Sequence, residues 1–166
     1  SGTDELKAAI SRKFHDFNHI TYAPNQIVVS NGGKQGLQNV FTAILNYGDE
    51  VLVPAPYWLS YPEMIKLADG VPKYLVTTKE NGYITTAEQI EKAITDRTKA
   101  LVLNSPSNPT GNIYTREELI KIAEVVVKHD IYVVADEMYE NLIYGDEEHV
   151  SIASLGEEIY KRTITC

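Results

Sequence analysis

Short apolar segments alternate with amphipathic segments along almost the whole chain, and this alternation restricts the fold more than any other feature. The segments that we predict as strands are residues 27–29, 51–53, 73–77, 100–103, 131–135 and 162–165. Between them, apolar residues recur every three or four positions, as in helices with one buried face. Strands that alternate with helices in this way predict an α/β fold. We therefore expect three layers, α/β/α, around a mostly parallel central sheet.

Capping signals predict where several of the helices begin. Thr85 with Glu88 and Thr115 with Glu118 have the spacing of a capping box, in which each residue bonds the other's backbone N–H. A further short helix is predicted over residues 138–144.

Length and charge restrict the class of protein. The chain has 166 residues, enough for about one domain. The formal net charge of −8 and the lack of a basic cluster argue against binding to nucleic acid. No apolar run approaches the roughly 18 residues of a membrane span, and the first residues do not resemble a secretory signal. The single cysteine, Cys166, excludes an internal disulfide, and no metal site is predicted. We expect a soluble, cytoplasmic protein.

Polar segments follow four of the predicted strands, at the point where each strand ends. They are residues 30–36, 54–58, 104–111 and 136–139. In open α/β sheets, ligands bind beyond the carboxyl ends of the strands. The polar segments are therefore expected to converge on one site.

The first two segments offer an anion site and a flat ring. Gly33 and Lys34 lie in a glycine-rich turn that opens a helix, where backbone N–H groups can bind an anion. The spacing is that of neither a P-loop nor a dinucleotide fingerprint, so an ordinary tight turn is the alternative. Trp58, the only tryptophan, is either a core residue or a stacking surface for an aromatic ligand.

The other two segments offer an amide and a carboxylate. Asn108 lies between Pro106 and Pro109, which restrict the backbone, so it is either a fixed hydrogen-bonding amide or part of a rigid connector. Asp136 directly follows an apolar strand and is either a helix N-cap or the partner of a cationic ligand atom. Tyr139, three residues later, faces the same pocket.

A ligand with a phosphate, an aromatic ring and a protonatable ring nitrogen would match all four segments. Pyridoxal phosphate has these parts, and enzymes that use it place an acidic residue at the pyridinium nitrogen. A nucleotide also has a phosphate and a ring. A non-catalytic, Rossmann-like module that binds a nucleotide or another phosphate ligand therefore stays open as the alternative.

The same segments identify a family resemblance. Residues 30–35, 56–58, 104–111 and 136–139 resemble the class I/II aminotransferases, most closely the bacterial aspartate aminotransferase type of the fold-type I pyridoxal phosphate enzymes. Their order and separations match the large cofactor-binding domain of that family, over essentially the whole chain. The Asn-Pro-Thr-Gly stretch at 108–111, followed by Asp136 and Tyr139, is the most specific part of the match.

The resemblance implies a role for each candidate residue. Gly33 and Lys34 would donate backbone N–H groups to the cofactor phosphate, and Trp58 would stack on the pyridine ring. Asp136 would pair with the pyridine nitrogen, and Asn108 would bind the phenolic oxygen of the ring. Like Asn108, Tyr139 would reach the phenolic oxygen. Trp58 and Asn108 would also contact the amino-acid substrate.

The resemblance also implies that residues 1–166 are the central segment of a large domain. The family's lysine, which forms the Schiff base with the cofactor, is expected beyond Cys166, together with the small domain. The family's N-terminal arm is expected before Ser1. Neither Lys34 nor Lys161 occupies the position of that lysine. We expect the parent enzyme to be a homodimer that transfers an amino group between an aspartate-like amino acid and a 2-oxo acid, and the segment alone to be inactive.

Overall fold

Five strands form one sheet in the order β2-β1-β3-β4-β5, and every neighbouring pair is parallel. The computed structural model describes all residues, 1–166. The strands are β1 (Glu50–Ala55), β2 (Val71–Val76), β3 (Thr98–Asn104), β4 (Tyr132–Asp136) and β5 (Thr163–Thr165). The helices are α1 (Asp4–Asn18), α2 (Gly33–Ile44), α3 (Ser60–Leu67), α4 (Ala87–Ala93), α5 (Arg116–His129) and α6 (Glu157–Tyr160). The predicted α/β fold with a parallel sheet is confirmed.

The strand order reverses between β1 and β3. From β1 the chain proceeds outward to β2, and it then returns to the other side of β1 to add β3, β4 and β5 in turn. The loops after β1 and β3 therefore leave the sheet in opposite directions and open a crevice between them. Beyond the carboxyl ends of these strands lie the second and third polar segments.

The sheet is buried on both faces, which makes three layers. Alternate strand residues point to opposite faces, so that Leu52 and Val133 pack toward α4 and α5, while Val51 and Val134 pack toward α2 and α3. The helices contribute Leu119, Ile122 and Val126 on one side and Leu37, Phe41 and Ile65 on the other. The lack of alternation in β3 is explained by this double coverage.

The capping predictions were correct for one helix and wrong for another. Thr115 and Glu118 form the predicted capping box at the start of α5. At α4 the box is formed by Thr86 and Gln89, one residue later than the predicted pair. The side chain of Thr85 is fully buried and its hydroxyl has no hydrogen-bond partner, so Thr85 does not cap the helix.

Two predicted elements are absent. Residues 27–29 are extended, but they pair with no strand of the sheet, and Val28 is 72% exposed. The backbone of Val29 bonds instead to Ser1, and the Ile27 N–H donates to the Pro24 carbonyl, so three β-favouring residues do not form a strand where no neighbouring strand pairs with them. Residues 138–141 form turns and residues 142–144 have no regular structure; Glu140 and Leu142 each donate to a carbonyl three residues back, and no helix forms. No helix combines the length and the apolar character needed to cross a bilayer.

The end of α3 depends on the absence of a side chain at Gly70. Its N–H donates to the Ile65 carbonyl at 2.9 Å and closes the last turn, while Asp69 takes the left-handed conformation. A Cβ atom at Gly70 would lie 2.8 Å from Leu45 Cδ1 and 3.2 Å from the Ile65 carbonyl oxygen. The close contact places α3 against the segment that follows α2.

Replacement of Gly70 by alanine is therefore expected to destabilise the protein by about 1–3 kcal/mol, because the added methyl group overpacks this junction. Urea unfolding of Gly70→Ala measures the loss. Gly33→Ala is the matched control, since a Cβ atom there meets nothing within 4 Å, and its effect should stay within about 0.5 kcal/mol. Equal stability of the two variants would contradict this account of the α3 terminus.

Candidate functional site

The candidate site lies at the carboxyl edge of the sheet, where the strand order reverses. The loop after β1 carries Trp58, the loop after β3 carries Asn108, and β4 ends at Asp136. A small cavity of about 20 Å³ lies between the ends of β1 and β3, and Val53, Tyr61 and Val102 contribute to its wall. Its volume is that of about one water molecule.

Asp136 is a buried carboxylate without a cationic partner. Its side chain is among the buried polar groups, with 7% of the residue exposed. One carboxylate oxygen accepts a hydrogen bond from the Tyr61 hydroxyl at 2.6 Å, and the other accepts one from the Met138 N–H at 3.2 Å. No ion pair of the structure includes Asp136. Because an ionised carboxylate can accept about four hydrogen bonds, it retains capacity for a cationic ligand atom.

Tyr61 holds this carboxylate from the buried side of α3. Burial, reinforced by the negative charge of Asp136, raises the pKa of the Tyr61 hydroxyl far above its ordinary value. The hydroxyl therefore stays protonated at any working pH and remains a hydrogen-bond donor to Asp136.

Trp58 contacts both Tyr61 of α3 and Lys34 of the glycine-rich turn. Its half-buried indole meets the Tyr61 ring edge-on, with centroids 5.4 Å apart and an interplanar angle of 89°. The ammonium nitrogen of Lys34 lies 5.2 Å from the centroid of the indole. A continuous series of contacts thus runs from Lys34 through Trp58 and Tyr61 to Asp136.

Asn108 is fixed by its backbone and faces Tyr139. Its N–H donates to the side-chain oxygen of Asn104 at 2.7 Å, and the Asn104 amide nitrogen donates to the carbonyl oxygen of Asp136 at 2.9 Å. The Asn108 amide nitrogen lies 3.5 Å from the Tyr139 hydroxyl oxygen. The third and fourth polar segments are therefore joined, through the Asp136 backbone and through the contact between the Asn108 amide and the Tyr139 phenol.

The glycine-rich turn leaves the start of α2 open. Gly32 precedes the helix with a φ of 85°, which favours glycine, and no side chain caps the helix. The first turn contains no acidic residue. Since the first N–H groups of a helix have no intrahelical partner, those of Gly33 and Lys34 are available to an anion.

Two residues of this arrangement, Tyr61 and Asn104, were not predicted as site residues. Each had a usable signal in the sequence. Tyr61 follows Trp58 by three positions, the spacing of one helix face, and Asn104 ends an apolar strand as Asp136 does. In the sheet, Asn104 and Asp136 are direct neighbours in the β3–β4 register. Lys161, in contrast, is engaged by Glu157 and Glu158 on α6.

Removal of the Tyr61 hydroxyl should leave one oxygen of the buried Asp136 carboxylate without its donor. We expect Tyr61→Phe to lower the free energy of unfolding by about 1.5–3 kcal/mol, the range for hydrogen bonds to charged groups. Tyr132→Phe is the control, because the half-buried Tyr132 hydroxyl has no hydrogen-bond partner among the side-chain contacts of this structure and should change stability little. Chemical denaturation of both variants makes the comparison, and equal losses would contradict the assigned hydrogen bond.

Curated relatives of the chain are aminotransferases. The chain is 53% identical over 163 residues to an aspartate aminotransferase of Bacillus sp. strain YM-2, an alignment that covers 98% of this chain and 42% of that protein. It is 48% identical to an aspartate/prephenate aminotransferase of Cereibacter sphaeroides, over 99% of this chain and 42% of the relative. The chain thus spans about two-fifths of the length of these proteins.

Solved structures agree with the sequence relatives. An aspartate aminotransferase of Thermus thermophilus, determined with maleate, matches 99% of this chain and 42% of its own length, with a TM-score of 0.94 and 46% identity. An aromatic aminotransferase of Pyrococcus horikoshii matches with a TM-score of 0.95 and 41% identity, over 99% of this chain and 44% of that structure. The family model for aminotransferase class I and II covers residues 1–166. The chain therefore belongs to the class I and II aminotransferase family.

Proposed function

We propose that the protein containing this chain is a pyridoxal phosphate-dependent aminotransferase. In this proposal it transfers an amino group between an aspartate-like amino acid and a 2-oxo acid, and residues 1–166 are the central segment of its large, cofactor-binding domain. The observation that carries the proposal is the buried Asp136 carboxylate without a cationic partner, in a site where Asn108 also contacts Tyr139. The names of the relatives support the reaction.

The residues present fit the proposed cofactor part by part. The open start of α2 at Gly33 and Lys34 suits a phosphate, and the indole of Trp58 suits the face of an aromatic ring. Asn108 and Tyr139 offer an amide and a phenol to the phenolic oxygen, while Asp136 suits a protonated ring nitrogen. Pyridoxal phosphate, when bound, supplies an electron sink for bonds at the substrate's α-carbon.

Asp136 is proposed to hold the proton on the pyridine nitrogen. A buried anion favours the protonated form of a basic nitrogen beside it. Tyr61 and the Met138 N–H occupy one position on each carboxylate oxygen, which fixes the plane of the carboxylate before any ligand arrives. Preorganised charge of this kind does not have to reorient during the reaction.

Asn108, Tyr139 and Trp58 are proposed to position the ring and the substrate. The hydrogen bond from Asn108 to Asn104 fixes the backbone from which the amide projects. Trp58 would exclude water from one face of the ring, and with Asn108 it would contact the amino acid. These are positional roles, and they require the tight geometry that the contacts among Asn104, Asp136 and Tyr61 provide.

The parent enzyme is further proposed to be a cytoplasmic homodimer. The exposed apolar side chains of Leu59 and Leu67, at the two ends of α3, support an interface on this side of the molecule.

Nothing in the site favours the alternative of a nucleotide-binding module, since the turn before α2 lacks both phosphate-binding fingerprints and the relatives are aminotransferases.

Asp136→Asn in the full natural protein tests the proposal, because asparagine keeps the shape of the side chain and removes its charge. We expect kcat/KM for aspartate and 2-oxoglutarate to fall about 10²-fold or more and the affinity for pyridoxal phosphate to weaken. Asp96→Asn, at an exposed position with no ion pair, is the control and should match the unaltered protein. Full activity in Asp136→Asn, or nucleotide binding in place of pyridoxal phosphate, would refute the proposed function.

The 166-residue segment by itself is expected to show no transaminase turnover. The Lys34 ammonium lies over Trp58 and Lys161 is paired on α6, so neither is placed to act as the Schiff-base lysine, which is proposed to lie outside the segment. A coupled transaminase assay on the folded segment, run beside the full protein, checks this. Turnover by the segment would contradict the assignment of its boundaries.

A further inference from the structure

A second cluster of ionisable side chains lies on the loop after β4, apart from the candidate cofactor site. It consists of Glu137, Glu140 and His149, which we call the Glu–Glu–His cluster. One carboxylate oxygen of each glutamate and one ring nitrogen of the histidine all lie within 4.8 Å of one another. The side chains of Glu137 and His149 are only 7% and 10% exposed. The cluster is thus convergent and largely shielded from water.

Glu137 directly follows Asp136, but the two carboxylates lie in separate environments. Asp136 contacts Tyr61 of α3, whereas Glu137 faces His149 on the following loop. Successive residues of an extended chain point to opposite sides, so adjacent acidic residues can serve different groups. The Glu–Glu–His cluster is therefore distinct from the group of side chains around Asp136.

The cluster contains polar atoms that lack partners. Both ring nitrogens of His149 and the Oε2 atom of Glu137 are buried without a hydrogen bond. The Nε2 atom of His149 lies 3.2 Å from that oxygen, yet the pair does not meet the geometry of a hydrogen bond. Buried polar atoms without partners are rare and costly, and a bound ion is one way to satisfy them.

The unpartnered atoms are the type that binds a divalent cation. An imidazole nitrogen with carboxylate oxygens is a ligand set of Zn²⁺, at about 2.0–2.2 Å from the ion. Two such ligands on one tetrahedral ion lie roughly 3.4 Å apart, close to the 3.2 Å between Nε2 of His149 and Oε2 of Glu137. Three protein ligands would leave the fourth position to water or a further group.

The other carboxylate of the cluster, that of Glu140, is held in place by two residues of α1. Lys13 and Asn18 both contact its carboxylate. Asn18 donates to one oxygen at 2.7 Å. Lys13, which pairs with the other, is partly exposed and can turn toward solvent to release it.

We propose that the Glu–Glu–His cluster binds one divalent cation of the Zn²⁺ class. The site goes beyond the proposed transamination, and it differs from the expectation from the sequence, which included no metal site. Since Glu140 accepts a hydrogen bond from Asn18 of α1, the bound cation fastens α1 to the loop after β4. A plain ion pair between protonated His149 and Glu137 is the competing explanation.

The first test is a titration of the full natural protein, freed of metal by a chelator, with Zn²⁺ alone against a chromophoric competitor. We expect one site whose affinity falls at least about tenfold in His149→Gln and in Glu137→Gln, since loss of a ligand should cost no less than loss of a residue that supports one. His15→Gln is the matched control. His15 also has a carboxylate neighbour, Asp16, at 2.9 Å, but it is 69% exposed and should not affect binding.

The second test needs no variant and is unaffected if a variant fails to fold. Crystals of the unaltered protein soaked in Zn²⁺ should show an anomalous peak at the zinc edge, within bonding distance of His149 and Glu137. No peak there, or equal Zn²⁺ affinity in His149→Gln and the unaltered protein, would overturn the proposal and leave the ion pair. Both readouts are independent of transaminase activity, so failure of the proposed function would not be mistaken for failure of the metal site.

Discussion

The pairing of β3 with β4 is the interaction on which the site depends. This parallel ladder sets Asn104 beside Asp136 at its last register position. The side chain of Asn104 continues the hydrogen bonding beyond the end of the two strands. It donates to the carbonyl of Asp136 and accepts from the N–H of Asn108. A slip of the register by one residue would turn every following side chain to the other face. The position of three polar groups therefore follows from apolar packing within the sheet.

The reversal of strand order determines which segments can meet. Because β1 and β3 are neighbours, the loop that carries Trp58 and the loop that carries Asn108 begin side by side although 50 positions separate them along the chain. α3 then returns across the face of the sheet and brings Tyr61 to Asp136. Parallel topology thus brings side chains from distant parts of the sequence to one edge of the sheet. The fold fixes where these side chains lie, and the chemistry depends on which residues occupy the positions.

Local sequence patterns predicted the positions of Asp136 and Asn108 because both follow long apolar strands, where a polar residue marks the end of the sheet. The same reasoning could not supply Tyr61 as the partner of Asp136, since that contact depends on how α3 packs. It also failed at residues 27–29, which pair with no strand of the sheet, and at Thr85, which is buried while Thr86 caps α4. The sequence pattern therefore identifies polar residues at the ends of apolar strands. Their hydrogen-bond partners can be identified only from the tertiary structure.

The contacts at the two ends of the candidate site differ in stiffness. Asp136 is held by two donors and a completed ladder, whereas the exposed Lys34 reaches the rest of the site only through its flexible side chain over Trp58. Buried hydrogen-bonded groups open rarely, and exposed helix starts open often. A ligand bound here would therefore be held more rigidly beside Asp136 than at the start of α2.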